Sequence, residues 1–114
     1  MSKIIAVDFD GTLCENRYPE IGEPNLDLIT HLIMEKRKGS RVILWTCRSG
    51  RELVAAVKWC AEYRLIFDAV NENLPDVIKT FGSDTRKIFA NEYIDDRNNT
   101  EFKLPFIKGE EEHE

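Results

Sequence analysis

Four consecutive apolar residues, Ile4-Ile5-Ala6-Val7, run straight into two carboxylates one residue apart, Asp8 and Asp10, and then into a Gly11-Thr12 turn. Few folds can use such a stretch. A short unbroken apolar run bounded by turn residues reads as a strand covered on both faces. Aspartate is a poor strand residue and is costly to bury without a partner, so two of them at a buried strand end need a purpose. For an isolated Asp-x-Asp the plain alternative is an acidic turn that caps the strand.

The same pattern recurs along the chain. Leu13 to Glu23 has no clear periodicity and contains Pro19 and Gly22, so it reads as a loop. Glu15, Asn16, Arg17 and Tyr18 in it lie over the end of the first strand, as a surface loop or as substrate-selecting residues. Pro24-Asn25 opens a helix that runs to about Lys38 and stops at Gly39. Arg41 to Thr46 is a second buried strand, followed by a helix from about Arg51 to Tyr63 whose Leu53, Val57 and Cys60 recur at helical spacing. Leu65 to Val70 is a third strand, Asp76 to Phe81 a short helix, and Lys87 to Ile94 a fourth strand ending in Asp95-Asp96-Arg97-Asn98. Trp45 and Trp59 read as core. Strands alternating with helices give an α/β fold: a doubly wound, Rossmann-like parallel sheet of about four strands with helices on both faces. Asp8, Thr46 and Asp95 then fall at the C-terminal ends of three strands, along the edge where open sheets bind ligands.

At 114 residues the chain is one domain, over residues 1–108, with an acidic tail at 109–114 expected to be solvated and disordered. The tail explains most of the formal charge of −5: without its four glutamates, 17 acidic residues face 16 basic ones. No basic stripe points to a nucleic-acid polymer. The three cysteines, Cys14, Cys47 and Cys60, are odd in number and form no C-x-x-C pair, which fits a reducing compartment. Neither a signal peptide nor a long apolar segment is present, so a cytoplasmic location and no membrane partner are expected. No histidine is placed to activate Cys47: His31 is on a helix and His113 in the tail.

The run Asp-Phe-Asp-Gly-Thr-Leu at residues 8–13 is far more specific than Asp-x-Asp. It resembles the signature of the haloacid dehalogenase superfamily of phosphotransfer enzymes. The order Asp-x-Asp, Thr, Lys, Asp-Asp is similar to that superfamily's four motifs, from Lys3 to Asn98. Bacterial receiver domains gather the same residue types, but there the lysine comes last. The Ile-Asp-Asp-Arg-Asn ending resembles small phosphatase-like proteins of bacteria and phage, and also the ending of the deoxyribonucleotidases.

The resemblance implies a Mg²⁺-dependent phosphomonoester hydrolase acting through an aspartyl-phosphate on a small phosphorylated metabolite or nucleotide. Asp8 would be the nucleophile and Asp10 the general acid and base. Thr46 and the backbone N–H of Cys47 would hold a phosphoryl oxygen, and Arg48 would touch phosphate or substrate or else sit on the surface. Asp8, the backbone carbonyl of Asp10, Asp95 and Asp96 would hold Mg²⁺. Lys79 and Lys87 both lie between Thr46 and Asp95. A fourth strand starting at Lys87 puts that residue roughly 26 Å from Asp95, so Lys79 is the lysine expected at the phosphate. No substantial cap domain fits in the chain, so the site is open to a large substrate or covered by a second subunit of a homo-oligomer. The competing expectations are a non-catalytic module that binds Mg²⁺ and phosphate, and phosphotransfer to an acceptor other than water.

Overall fold

The computed structural model describes residues 3–85 and 88–95. In chain order the elements are β1 (Ile4–Val7), β2 (Cys14–Arg17), β3 (Glu20–Pro24), α1 (Leu26–Arg37), β4 (Arg41–Leu44), α2 (Gly50–Glu62), β5 (Ala69–Val70), α3 (Pro75–Phe81) and β6 (Glu92–Ile94). Four of the strands form a parallel sheet in the order β5-β4-β1-β6. The first strand of the chain therefore lies inside the sheet, paired with β4 on one side and β6 on the other.

Strand residues alternate between faces, and the two faces carry separate cores. Ile5, Val7 and Phe9 pack with Leu28, Ile29 and Leu32 of α1 and with Ala56 and Cys60 of α2. Ile4, Ala6 and Ile43 pack instead with Leu74 and with Val77 of α3. The fold is thus an α/β domain with helices on both sides of a parallel sheet, as the alternation of elements leads one to expect. No helix among the described residues is long and apolar enough to cross a membrane.

The helix ends follow from local chemistry. The Asn25 side chain caps α1, accepting from the Leu28 N–H at 3.3 Å, and also donates to the Thr12 carbonyl at 3.2 Å. Asp27 in the first turn and Lys36 and Arg37 in the last suit the helix dipole. Trp59 of α2 meets Phe9 edge to face, with centroids 5.6 Å apart, and belongs to the core. Trp45 does not: it is 40% exposed just past the end of β4.

Besides β4, which ends at Leu44 instead of Thr46, three segments differ from the sequence expectation. The two outer strands are shorter because side chains take over backbone pairing. Asp68 Oδ2 accepts from the Val42 N–H at 2.7 Å, and β5 begins only at Ala69 instead of Leu65. Asn91 Oδ1 likewise accepts from the Ile4 N–H at 2.7 Å, and β6 begins at Glu92 instead of Lys87. The third difference is larger. Residues 13–23 are not a loop; they contain an antiparallel hairpin, β2 against β3, pairing Asn16 with Ile21 and Arg17 with Glu20 around Tyr18-Pro19. Gly22 is required there by space, since a Cβ on it would lie 2.5 Å from the Glu15 carbonyl oxygen.

Burial separates the three cysteines. Cys14 and Cys60 are fully buried and Cys47 is exposed. Burial pushes the Cys14 thiol up to about 11 and the Cys60 thiol up to about 12. Native protein at about pH 8 is expected to react with a disulfide reagent at one thiol, and at all three once denatured. Reaction of a second thiol in the folded state would contradict this packing.

Candidate active site

Register places the polar strand ends side by side. Val7 of β1 is level with Leu44 of β4 and with Ile94 of β6, so Asp8 and Asp95 follow directly on neighbouring strands. The Asp8 N–H donates to the Ile94 carbonyl at 3.0 Å, carrying the pairing one step past the strand. Asp8 is half-buried, and its Oδ1 accepts from the Phe9 N–H at 2.7 Å. Two carboxylates so placed repel each other unless a cation or proton lies between them.

After Asp8 the chain coils tightly. The Phe9 carbonyl accepts from the N–H groups of Thr12 (3.1 Å) and Leu13 (2.9 Å), and Gly11 sits at φ 80°, a conformation glycine adopts without a Cβ clash. The coil takes Asp10 off the line of the strand, so Asp8 and Asp10 do not share one environment. Thr12 is buried in it, and among the described residues its hydroxyl oxygen has no hydrogen-bond partner.

Thr46 lies two residues past β4. Its N–H donates to Asn71 Oδ1 at 2.8 Å, and its Oγ1 accepts from the Arg48 N–H at 3.1 Å, which leaves its own O–H as a donor. Asn71 ends β5 with φ 56°, a left-handed conformation that asparagine tolerates. Asn71 is not among the candidates named from the sequence. The available signal was its place as the polar residue ending a strand. Cys47 is exposed in the same turn, and α2 starts three residues later, so its positive end lies at this edge of the sheet.

Arg48 occupies neither of the positions expected of it. It is 2% exposed and aimed at Asp10, with Nε–H donating to Oδ2 at 2.9 Å and Nη2–H to Oδ1 at 2.8 Å. The remaining donors go to backbone carbonyls: Nη1 to Pro19 (3.2 Å) and Glu52 (3.4 Å), Nη2 to Glu20 (2.8 Å). All five guanidinium N–H groups are thereby used. The Phe9 and Tyr18 rings lie 4.9 and 5.0 Å from its central carbon. The hydrogen bonds to Asp10 hold its proton more tightly than usual, against the opposing effect of burial. Arginine is rarely buried, and only such a complete set of partners makes it tolerable.

Lys79 is not brought to Asp8. It is exposed in the last turn of α3, not the first. Its neighbours Asp76 and Thr80 border a cavity of about 420 Å³ with Lys3, Arg41 and Asn91, which precede or open β1, β4 and β6 at the opposite edge. The argument against Lys87 also loses its premise, because β6 begins at Glu92. Lys87 and Asp96 themselves lie outside the described residues.

No family model and no curated protein matches the chain. A solved structure described as that of a conserved protein coded by locus from Bacteroides thetaiotaomicron is similar to it over nearly the full length. The two are 35% identical with a TM-score of 0.77, covering 98% of this chain and 93% of that one.

Proposed function

We propose that this chain, which belongs to the family of the conserved Bacteroides thetaiotaomicron protein, is a Mg²⁺-dependent phosphomonoester hydrolase of the haloacid dehalogenase kind. The observation that carries the reading is the alignment of Asp8, Thr46 and Asp95 along one sheet edge, with Asp8 and Asp95 on adjacent strands. Strand order β5-β4-β1-β6 with helices on both faces supports a doubly wound sheet of that kind.

The residues fit a magnesium ion. Asp8, Asp95 and the Asp10 carbonyl are all hard oxygen donors. Such an ion takes one or two carboxylates and completes its shell with water and substrate phosphate. The lack of a three-side-chain His, Cys, Asp or Glu group among the described residues is therefore no obstacle. When bound, the cation offsets the repulsion between the Asp8 carboxylate and a phosphate dianion.

In the proposed reaction an Asp8 oxygen attacks phosphorus as the bond to the leaving oxygen breaks, and Asp10 gives that oxygen its proton. Water then gives a proton to Asp10 and attacks the same phosphorus. The Asp8–phosphorus link breaks, releasing inorganic phosphate and restoring both aspartates. The Thr46 O–H donates to a phosphoryl oxygen, and the start of α2 favours its negative charge.

One observation favours a second reading, a module that binds Mg²⁺ and phosphate with little turnover: both Asp10 oxygens are already engaged by Arg48. The deciding experiment is an assay with an aryl phosphate and a panel of nucleotides and sugar phosphates. Turnover with Mg²⁺ that stops in EDTA is expected. Turnover indifferent to EDTA, or none on any substrate while Mg²⁺ still binds, would overturn the hydrolase reading.

A further inference from the structure

Arg48 joins the Asp10 coil to the tip of the hairpin, two parts that also meet at the hairpin base, where the Gly11 N–H donates to the Cys14 carbonyl at 2.9 Å. One side of its guanidinium holds the whole carboxylate of Asp10, 38 positions earlier in the sequence. The other side holds the carbonyls of Pro19 and Glu20, which sit at the tip of the hairpin, while the exposed Tyr18 ring lies over it. The hairpin has little core of its own: β2 and β3 contribute the buried Cys14 and the half-buried Ile21, and the tip residues 16–20 are exposed. A two-stranded hairpin is marginal alone in water, so its position depends on what it is fastened to. It is fastened to Arg48, and Arg48 is fastened to Asp10.

We propose that Arg48 is a positioning residue that couples the orientation of the Asp10 carboxylate to the seating of the β2–β3 hairpin. With the hairpin seated, the planar fork fixes Asp10 in one direction. When the tip carbonyls leave, the fork loses two partners and Asp10 loses its fixed orientation. A substrate that presses on or lifts the tip thus changes the proton-transfer group without touching it. The catalytic side of this inference rests on the hydrolase reading; the coupling itself does not.

Two measurements test it. The first is amide hydrogen exchange on the intact chain. Asp10→Asn and Arg48→Gln are each expected to speed exchange of the amides at 15–22 by about tenfold or more, while those of α1 and β4 keep their protection. Unchanged hairpin exchange in Asp10→Asn, or loss of protection only together with α1 and β4, would overturn the coupling. The second measures how rate depends on the leaving group. A positioned general acid matters for a poor leaving group such as an alkyl phosphate and little for 2,4-dinitrophenyl phosphate. Arg48→Gln is expected to lower kcat for the alkyl ester by about 100-fold, and by only a few-fold for the activated ester. Tyr18→Ala, at an exposed position that leaves the fold intact, is expected to show the same pattern in weaker form. Equal losses on both esters would overturn the positioning role and leave the hydrolase reading standing. Coupled exchange in a protein without turnover would do the reverse.

Discussion

Asp8→Asn is expected to reduce turnover of an aryl phosphate on the order of 10,000-fold or more while leaving the protein folded. An amide oxygen is not a nucleophile toward phosphorus. Folding survives because asparagine retains the carbonyl oxygen that accepts from the Phe9 N–H. The thermal midpoint in EDTA should therefore stay close to that of the wild type. The assay and a melting curve in EDTA check both parts. Activity that persists would place the nucleophile elsewhere, and a collapsed melting curve would make Asp8 a structural residue.

Asp10→Ala is expected to act on the fold itself. Removing one partner of a buried ion pair leaves the other charged and undersolvated, typically costing about 3–5 kcal/mol. Arg48 is fully enclosed, with 1% of its side chain accessible, but Asp10 is 18% accessible, so the lower end applies. About 3 kcal/mol in a domain of this size corresponds to a fall of roughly 10–20 °C in Tm. Asp10→Asn, which keeps an acceptor for one arm of the fork, should fall less. Replacing both residues with apolar ones, Asp10→Leu with Arg48→Met, should recover only part of the loss. It removes the stranded charge but leaves the Pro19 and Glu20 carbonyls without their donor. Thermal unfolding of the three variants orders them; an Asp10→Ala protein as stable as wild type would mean that Arg48 finds water or another acceptor.

What the amino-acid sequence reveals of this fold depends on the range of the interaction concerned. The ends of α1 are written locally, in Asn25 and in the Gly39 stop, and α2 falls within one residue of its expected span. Three polar strand ends could be placed on one edge because parallel strands share a direction, whatever their lengths. The hairpin could not be seen. Its residues show no alternation, Pro19 and Gly22 read as breaks, and what holds its tip is an arginine nearly thirty positions away. For the same reason Arg48 looked like surface or substrate contact: nothing near it in sequence reveals a half-buried carboxylate 38 positions back. The strand starts failed where Asp68 and Asn91 exchanged side chain for backbone, a substitution invisible to propensity. That error misdirected the choice of lysine, since the choice depended on where the last strand begins.

The position of β1 has a consequence for how this protein comes into being. Both neighbours of β1 come later in the sequence, and contact with the farther one spans 87 positions, from Ile4 to Asn91. Chains grow from the amino end at about 5–20 residues per second. Until β6 is made, the emerging polypeptide therefore carries an apolar strand with one flank unclaimed and Asp8 without Asp95 beside it. Any phosphate chemistry along that edge belongs to the finished polypeptide alone, and a nascent chain stalled before β6 is a hydrophobic fragment in need of shelter.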